Sequence, residues 1–589
     1  MQAFASLLIC VGLIGLISSV TAEVEPIEIK GSHLFYKNGT AFFVRGINYE
    51  PFGYDLSGLN PPPDPLGSGI LCRRDIPNLS ALNINTILVV NIDRDKDHSE
   101  CMKAFVDAGI YVVASVLETG TGSAYVWDQE KLDHKIGIIS SLANYSNLLG
   151  LRMVAEDQHP MDMPYFRAAF RDMRTYMSEV WHRNIPIILT VVPEEQEKDT
   201  IDYMWCHNDT ADMAYVWLGE SVQNCTTSQN IEDAVDFAKT LGAPSVLEGM
   251  RCEVNRSDSD DRNYEFMYDV YSDQGAAALS GGILQTYYGN WDENMTYAIM
   301  TSRYVSNENA IAPLPGGAES LSSVLAAAKP SFTDEAQYNP TATARPCPTG
   351  SAWDFSPVLP PRVYEPLCSC MLDTLQCTAK PSAIETISEY TLDDMLVTAC
   401  GTNRAKNCEG IATNITTGAY GAFSMCNRTT VYSWAANLYW QKGGNCDLKG
   451  TAELRDVRPT PQRDCKFLLD QVGSAGEKTL TAFLGANTAP SSTAPSGTEE
   501  TGGLAKTSSD DSQSSGLPTG AKIGIGIGVP FFVALCLVSV FFLLRRRRRA
   551  DAALHGKEDV PEFVPPRDGA QGTQMRPNDL PEVQTLLRD

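Results

Sequence analysis

The chain has 589 residues, 43% hydrophobic and 20% charged, ordinary for globular protein but too long for one core, so at least two folded units with tails are expected. A net charge of −26 excludes a nucleic-acid partner, because neutralising phosphates needs a basic face and none is visible outside the C-terminal tail.

In chain order, residues 1–22 read as a signal peptide, an apolar run followed by the small Val20, Thr21 and Ala22 at the cleavage positions. Residues 23–338 alternate short apolar runs with amphipathic ones. Strands are expected at 41–49, 85–92, 110–117, 148–156, 186–192, 213–218, 244–248 and 281–287, with helices at 99–108, 163–183, 231–241 and 264–272. The runs are nearly continuously apolar, as parallel strands covered on both faces should be. Eight such units in about 300 residues predict an α/β fold of the (β/α)8 TIM-barrel type. A doubly wound open sheet is the alternative, but no glycine-rich phosphate loop follows the first strand.

Residues 339–366 read as a proline-rich linker, and 367–469 as a small disulfide-rich, α-type module whose cysteines replace a core that so short a unit builds only modestly. Residues 470–521, rich in Ser, Thr, Gly and Pro, are expected to be a disordered stalk. The expected span 522–544 is apolar and uninterrupted by charge from Ile523 to Leu544, close to the ~20 residues a helix needs to span a bilayer. The arginines from Arg545 to Arg549 place its far flank in the cytoplasm and make 545–589 a cytosolic tail. The expected location is therefore the cell membrane, crossed once, with the bulk of the chain outside.

Setting aside Cys10 and Cys536, 14 of the 16 cysteines remain, an even set that in an exported chain means disulfides and not metal. Glycosylation sequons begin at Asn38, Asn78, Asn144, Asn208, Asn224, Asn255, Asn294, Asn414 and Asn427 and fit the same compartment. The histidines do not cluster, so neither a metal site nor a cofactor is expected.

Chemistry in such a barrel sits at the C-terminal ends of the strands. Glu156 and Glu248 close the expected strands four and seven. One glutamate at a strand end reads as a solvated cap. Two carboxylates facing one cleft are what glycosidic cleavage requires, one donating a proton to the leaving oxygen and the other attacking the anomeric carbon.

A set of short motifs adds to this reading. They are Gly31 to Tyr36, Phe43 to Tyr49, Cys72 to Pro77, Asp97 to Met102, Ala168 to Met173 and Ser280 to Ile283. Together they resemble fungal β-1,3-glucanosyltransferases of glycoside hydrolase family 72, and the resemblance runs from about residue 27 to 465. Cys368 to Met371, Gly418 to Gly421 and Asn437 to Trp440 are similar to the family's cysteine-rich glucan-binding module, carbohydrate-binding family 43. The resemblance implies Glu156 as acid/base and Glu248 as nucleophile. It implies sugar contacts from Tyr49, Glu50, Tyr215, Trp217 and Gln285, the disulfides Cys72–Cys101, Cys206–Cys347 and Cys225–Cys252, and an ectodomain facing the cell wall with β-1,3-glucan as partner.

The pocket departs from the family's pattern. Ala155 stands where the family has Asn, and Leu88, Val89 and Val90 replace an Arg-Val-Tyr on strand two. Ser115 replaces the Asp that ends strand three, Glu50 a Gln, and Gln285 the Tyr of strand eight. The stretch from Glu248 to Cys252 is one residue longer. Lost donors near a carboxylate weaken its support, each worth roughly 10²–10³ in rate, unless Glu50, Arg152 or Gln285 compensates. The leading reading is a retaining transglycosylase; the second is a weakened or inactive glucan-binding wall receptor or tether on the same fold.

Overall fold

The computed structural model describes residues 24–50, 64–116, 127–154, 160–191, 198–207, 211–217, 228–252, 262–289, 298–301, 311–314, 316–340, 345–350, 352–387, 389–401, 407–456 and 463–484, all within one compact unit, Met1–Thr488. The expected signal peptide, stalk, membrane-spanning run and cytosolic tail lie outside these residues. Among the described residues no helix is long and apolar enough to cross a membrane.

Eight parallel strands close into a barrel in simple sequence order. They are β1 (Val44–Asn48), β2 (Thr86–Val89), β3 (Tyr111–Ser115), β4 (Leu148–Val154), β5 (Ile187–Val191), β6 (Met213–Trp217), β7 (Ser245–Met250) and β8 (Gly281–Leu284). All but β7, which runs two residues further, fall inside an expected strand. The alternation of side chains explains why the runs looked continuous. Leu88, Val113, Ile188, Met213, Val246 and Ile283 fill the barrel interior, while Ile87, Val112, Leu189, Ala214 and Leu247 face the helices. Both faces are buried, so neither has a reason to be polar.

The barrel floor is closed by a three-stranded antiparallel sheet, Glu28–Lys30, His33–Phe35 and Ala41–Phe42. Ile27, Leu34 and Phe42 from it join the interior cluster. Four helices missed in the sequence, Gly69–Ala81, Gln129–Leu142, Lys198–Trp205 and Gly317–Ala327, belong to the outer ring. Gly69–Ala81 escaped notice because Pro77 lies inside it. The expected helix at 163–183 is α-helical over Met163–Tyr176 and then widens to a π turn, Met177–Trp181.

The proline-rich segment packs against the barrel. Cys347 is disulfide-bonded to Cys206, Arg345 donates to Asp202 and Thr240, and Trp353 and Phe355 lean on Tyr203. The cysteine-rich region follows, with helices Glu365–Leu372, Pro381–Ile384, Glu389–Cys400, Arg428–Gln441 and Arg463–Val472. Its eight cysteines pair as Cys368–Cys426, Cys370–Cys465, Cys377–Cys446 and Cys400–Cys408. It touches the barrel directly: Gln129 N donates to the Met425 carbonyl at 2.9 Å, and Ile415, Tyr420 and Met425 belong to the barrel's own apolar cluster.

Candidate active site

The barrel's alternation delivers its polar groups to one place. Two residues beyond the interior Val113, Ile188, Met213 and Val246 stand Ser115, Thr190, Tyr215 and Glu248, near the C-terminal ends of β3, β5, β6 and β7. Period-two geometry therefore turns all four toward the barrel axis, one layer above the apolar plug. Arg152 on β4 reaches the same layer.

Glu248 is 4% exposed and Arg152 7%, and they form a forked pair. Arg152 Nη2 donates to Glu248 Oε1 at 2.5 Å and Nε to Oε2 at 3.1 Å. Thr190 Oγ1 adds a second donor to Oε2 at 3.0 Å. The guanidinium also lies 3.5 Å from Ser115 Oγ. A bidentate charge-assisted pair fixes orientation as well as charge, which suits a carboxylate that must meet one carbon atom. The Tyr215 hydroxyl is fully buried and has no hydrogen-bond partner among the described residues. Burial, and then the Glu248 charge beside it, push its ionisation up, with Arg152 opposing.

Directly after Glu248 the strand takes up its extra residue as a bulge. Leu247 pairs with Gly282 and Met250 with Leu284, so three steps on β7 match two on β8. Gly249 absorbs the mismatch with φ of +81°, a conformation that costs a residue with a Cβ. The longer sequence between Glu248 and Cys252 is thus accommodated without breaking the barrel.

Glu50, two residues past β1, accepts from Asn48 Nδ2 at 3.3 Å. Burial raises its carboxyl to about 7, against the Asn48 hydrogen bond and the Arg152 charge, which both pull it down. Gln285 follows β8, is 8% exposed, and its backbone N–H donates to the Met250 carbonyl. Trp217 is paired in register with Glu248 on the neighbouring strand. Tyr49 is a correction: expected at the sugar, it is fully buried, with its hydroxyl donating to Asp75 at 2.9 Å and its ring against Phe105. Both partners sit on outer helices, so Tyr49 packs the barrel wall. Glu156 lies outside the described residues.

Cys72 is bonded to Cys101, and Cys252 is disulfide-bonded, while Cys225, expected as its partner, lies outside the described residues. Cys206, His207 and Cys347 have metal-ligand spacing, but the disulfide takes both sulfurs. Sequence reasoning missed Thr190 and gave Arg152 only a compensating role. The signal for Arg152 was present: an arginine inside the apolar run from Leu148 to Val154 needs a buried partner.

A closed parallel barrel with a carboxylate held at its C-terminal mouth, joined to a disulfide-rich module, defines a glycoside-hydrolase type of enzyme. A family model described as glucanosyltransferase matches residues 16–309, and an X8 domain model matches 375–453. A 1,3-beta-glucanosyltransferase of Arthroderma benhamiae is 32% identical over 516 residues, covering 80% of this chain and 89% of that protein. The 1,3-beta-glucanosyltransferase gas1 of Schizosaccharomyces pombe is 28% identical over 494 residues, covering 80% and 86%. Among solved structures, Saccharomyces cerevisiae Gas2p in complex with laminaripentaose superposes with a TM-score of 0.62 at 22% identity, over 73% of this chain and 98% of that one, a likeness of fold. The chain belongs to the glucanosyltransferase family, glycoside hydrolase family 72, and is a transglycosylase of that family.

Proposed function

We propose that the chain cleaves and re-ligates β-1,3-glucan with retention of configuration, with Glu248 as nucleophile and Glu156 as acid/base. The observation that carries this is the buried Glu248 carboxylate at the end of β7, oriented by Arg152 and Thr190 at the barrel mouth. Glu248 attacks the anomeric carbon while Glu156 gives its proton to the departing glycosidic oxygen. Glu156 then takes the proton of an incoming sugar hydroxyl, whose oxygen displaces Glu248 and forms the new glycosidic bond. In a sugar complex the two carboxyls should stand about 5–5.5 Å apart, the retaining separation. Glu50, Tyr215, Trp217 and Gln285 are proposed to meet the sugar, and the X8 region to hold the glucan chain.

The exported disulfides and sequons support an extracellular site of action, and the 522–544 run with its arginine flank supports a single membrane span that holds the ectodomain at the wall. The domain boundaries, stalk and cytosolic tail are proposed as read from the sequence.

The test incubates the full chain with a reduced β-1,3-glucan oligosaccharide and separates products by length, with Glu248→Gln as control. Products longer than the donor, absent in the control, are expected. Glucan binding without such products would instead make the chain a wall receptor or tether.

A further inference from the structure

The count of donors on Glu248 carries a finer assignment. A carboxylate oxygen has two lone-pair sites. Oε2 receives both Arg152 Nε and Thr190 Oγ1, so its capacity is filled. Oε1 receives Arg152 Nη2 alone among the described residues, and keeps one site. Rotation that would exchange the two oxygens breaks three hydrogen bonds at once. The carboxylate is therefore presented in one sense.

The same guanidinium reaches a third strand: Arg152 Nη1 lies 3.5 Å from Ser115 Oγ on β3, so the fork is held from β3 while it grips Glu248 on β7.

We propose that Arg152 is the positioning residue of the nucleophile and that its fork presents Oε1 of Glu248 as the attacking atom. The assignment rests on the transferase reading above. Its consequences are local. During attack the Oε1–carbon bond forms as the glycosidic bond breaks, while Oε2 stays anchored. When the acceptor hydroxyl displaces Glu248, Arg152 receives the returning negative charge and stabilises the carboxylate as a leaving group.

The experiment measures transfer by the full chain, with Arg152→Ala and Arg152→Lys. Arg152→Ala should lower kcat by roughly 10²–10³, the cost of one preorganised electrostatic group, with KM changed far less. Because that variant strands a buried carboxylate, Arg152→Lys is the second probe: it keeps the charge, lacks the fork, and should lose kcat by about tenfold or more. Added guanidinium ion should restore part of the Arg152→Ala activity and none of the Arg152→Lys loss. Unchanged kcat in both Arg152 variants overturns the assignment while the transferase reading stands. Absence of elongated products from the unsubstituted chain overturns the transferase reading and this assignment with it.

Discussion

Glu50 shows how one buried carboxyl can cost stability. Its folded-state value is raised from 4.5 to about 7, with burial the dominant cause. A raised carboxyl binds its proton more tightly in the folded chain than in the unfolded one. The stability this brings is fully present below about pH 4.5 and is lost as pH rises through 7. Glu50→Gln removes the titration. Against its stability relative to the unsubstituted chain at pH 4.5, the variant should gain roughly 1–3 kcal/mol by pH 8, a range discounted for the carboxyl's partial exposure. Denaturation midpoints of both proteins at the two pH values check this; parallel curves would contradict it. The arginine is the counterpart: Arg152 is tolerated inside an apolar strand because Glu248 and Ser115 take up its donors.

At the scale of elements, β7 carries the buried Glu248 and an irregularity together. The bulge at Gly249 follows Glu248 at once, so the backbone that aims this carboxylate depends on a left-handed residue. A side chain at positive φ costs about 1–2 kcal/mol per residue. Gly249→Ala should therefore either strain the bulge or shift the register of β7 against β8. The expected result is a modest loss of stability and a fall in kcat of tenfold or more, since small misplacements of a reacting group are expensive. Transfer rates and unfolding midpoints measured on the same preparation separate the two effects. The periodic strands were legible from sequence because burial on both faces leaves a continuous apolar signal. Helices were less legible: Gly69–Ala81 hides a proline, and Lys198–Trp205 is short.

At the scale of the molecule, barrel and cysteine-rich region are tied through Asp172. This carboxylate is 2% exposed and accepts from Trp127 Nε1 at 2.8 Å, from Arg171 at 2.8 Å and from the Val363 backbone at 3.3 Å. Arg171 in turn donates to the Pro360 carbonyl. The proline-rich segment is thus a strap, held by hydrogen bonds along its length. Asp172→Ala leaves these donors without their acceptor, a change of the kind that costs about 1–3 kcal/mol. Calorimetry should show one cooperative transition in the unsubstituted chain and a lower one in the variant. Two separate transitions, with only the earlier one moved, would show that the two regions unfold independently.

The sequence by itself determined the strand positions, the barrel, the cysteine-dense region and the candidate glutamates, because buried strands, paired cysteines and carboxylates at strand ends leave local marks. It determined neither which cation holds Glu248 nor which side chains share its cleft. Leu88, on strand two, lies in the interior plug, and the guanidinium comes from β4 instead, across the barrel from β7. Thr190 and Glu248 are 58 residues apart and meet only because closure of the barrel brings β5 and β7 round one axis. Tyr49 reads as a site residue in the chain, yet it turns outward to Asp75, because a step of one residue along a strand reverses the face. Contacts across the barrel have no periodicity in the chain; only the closed tertiary structure sets them.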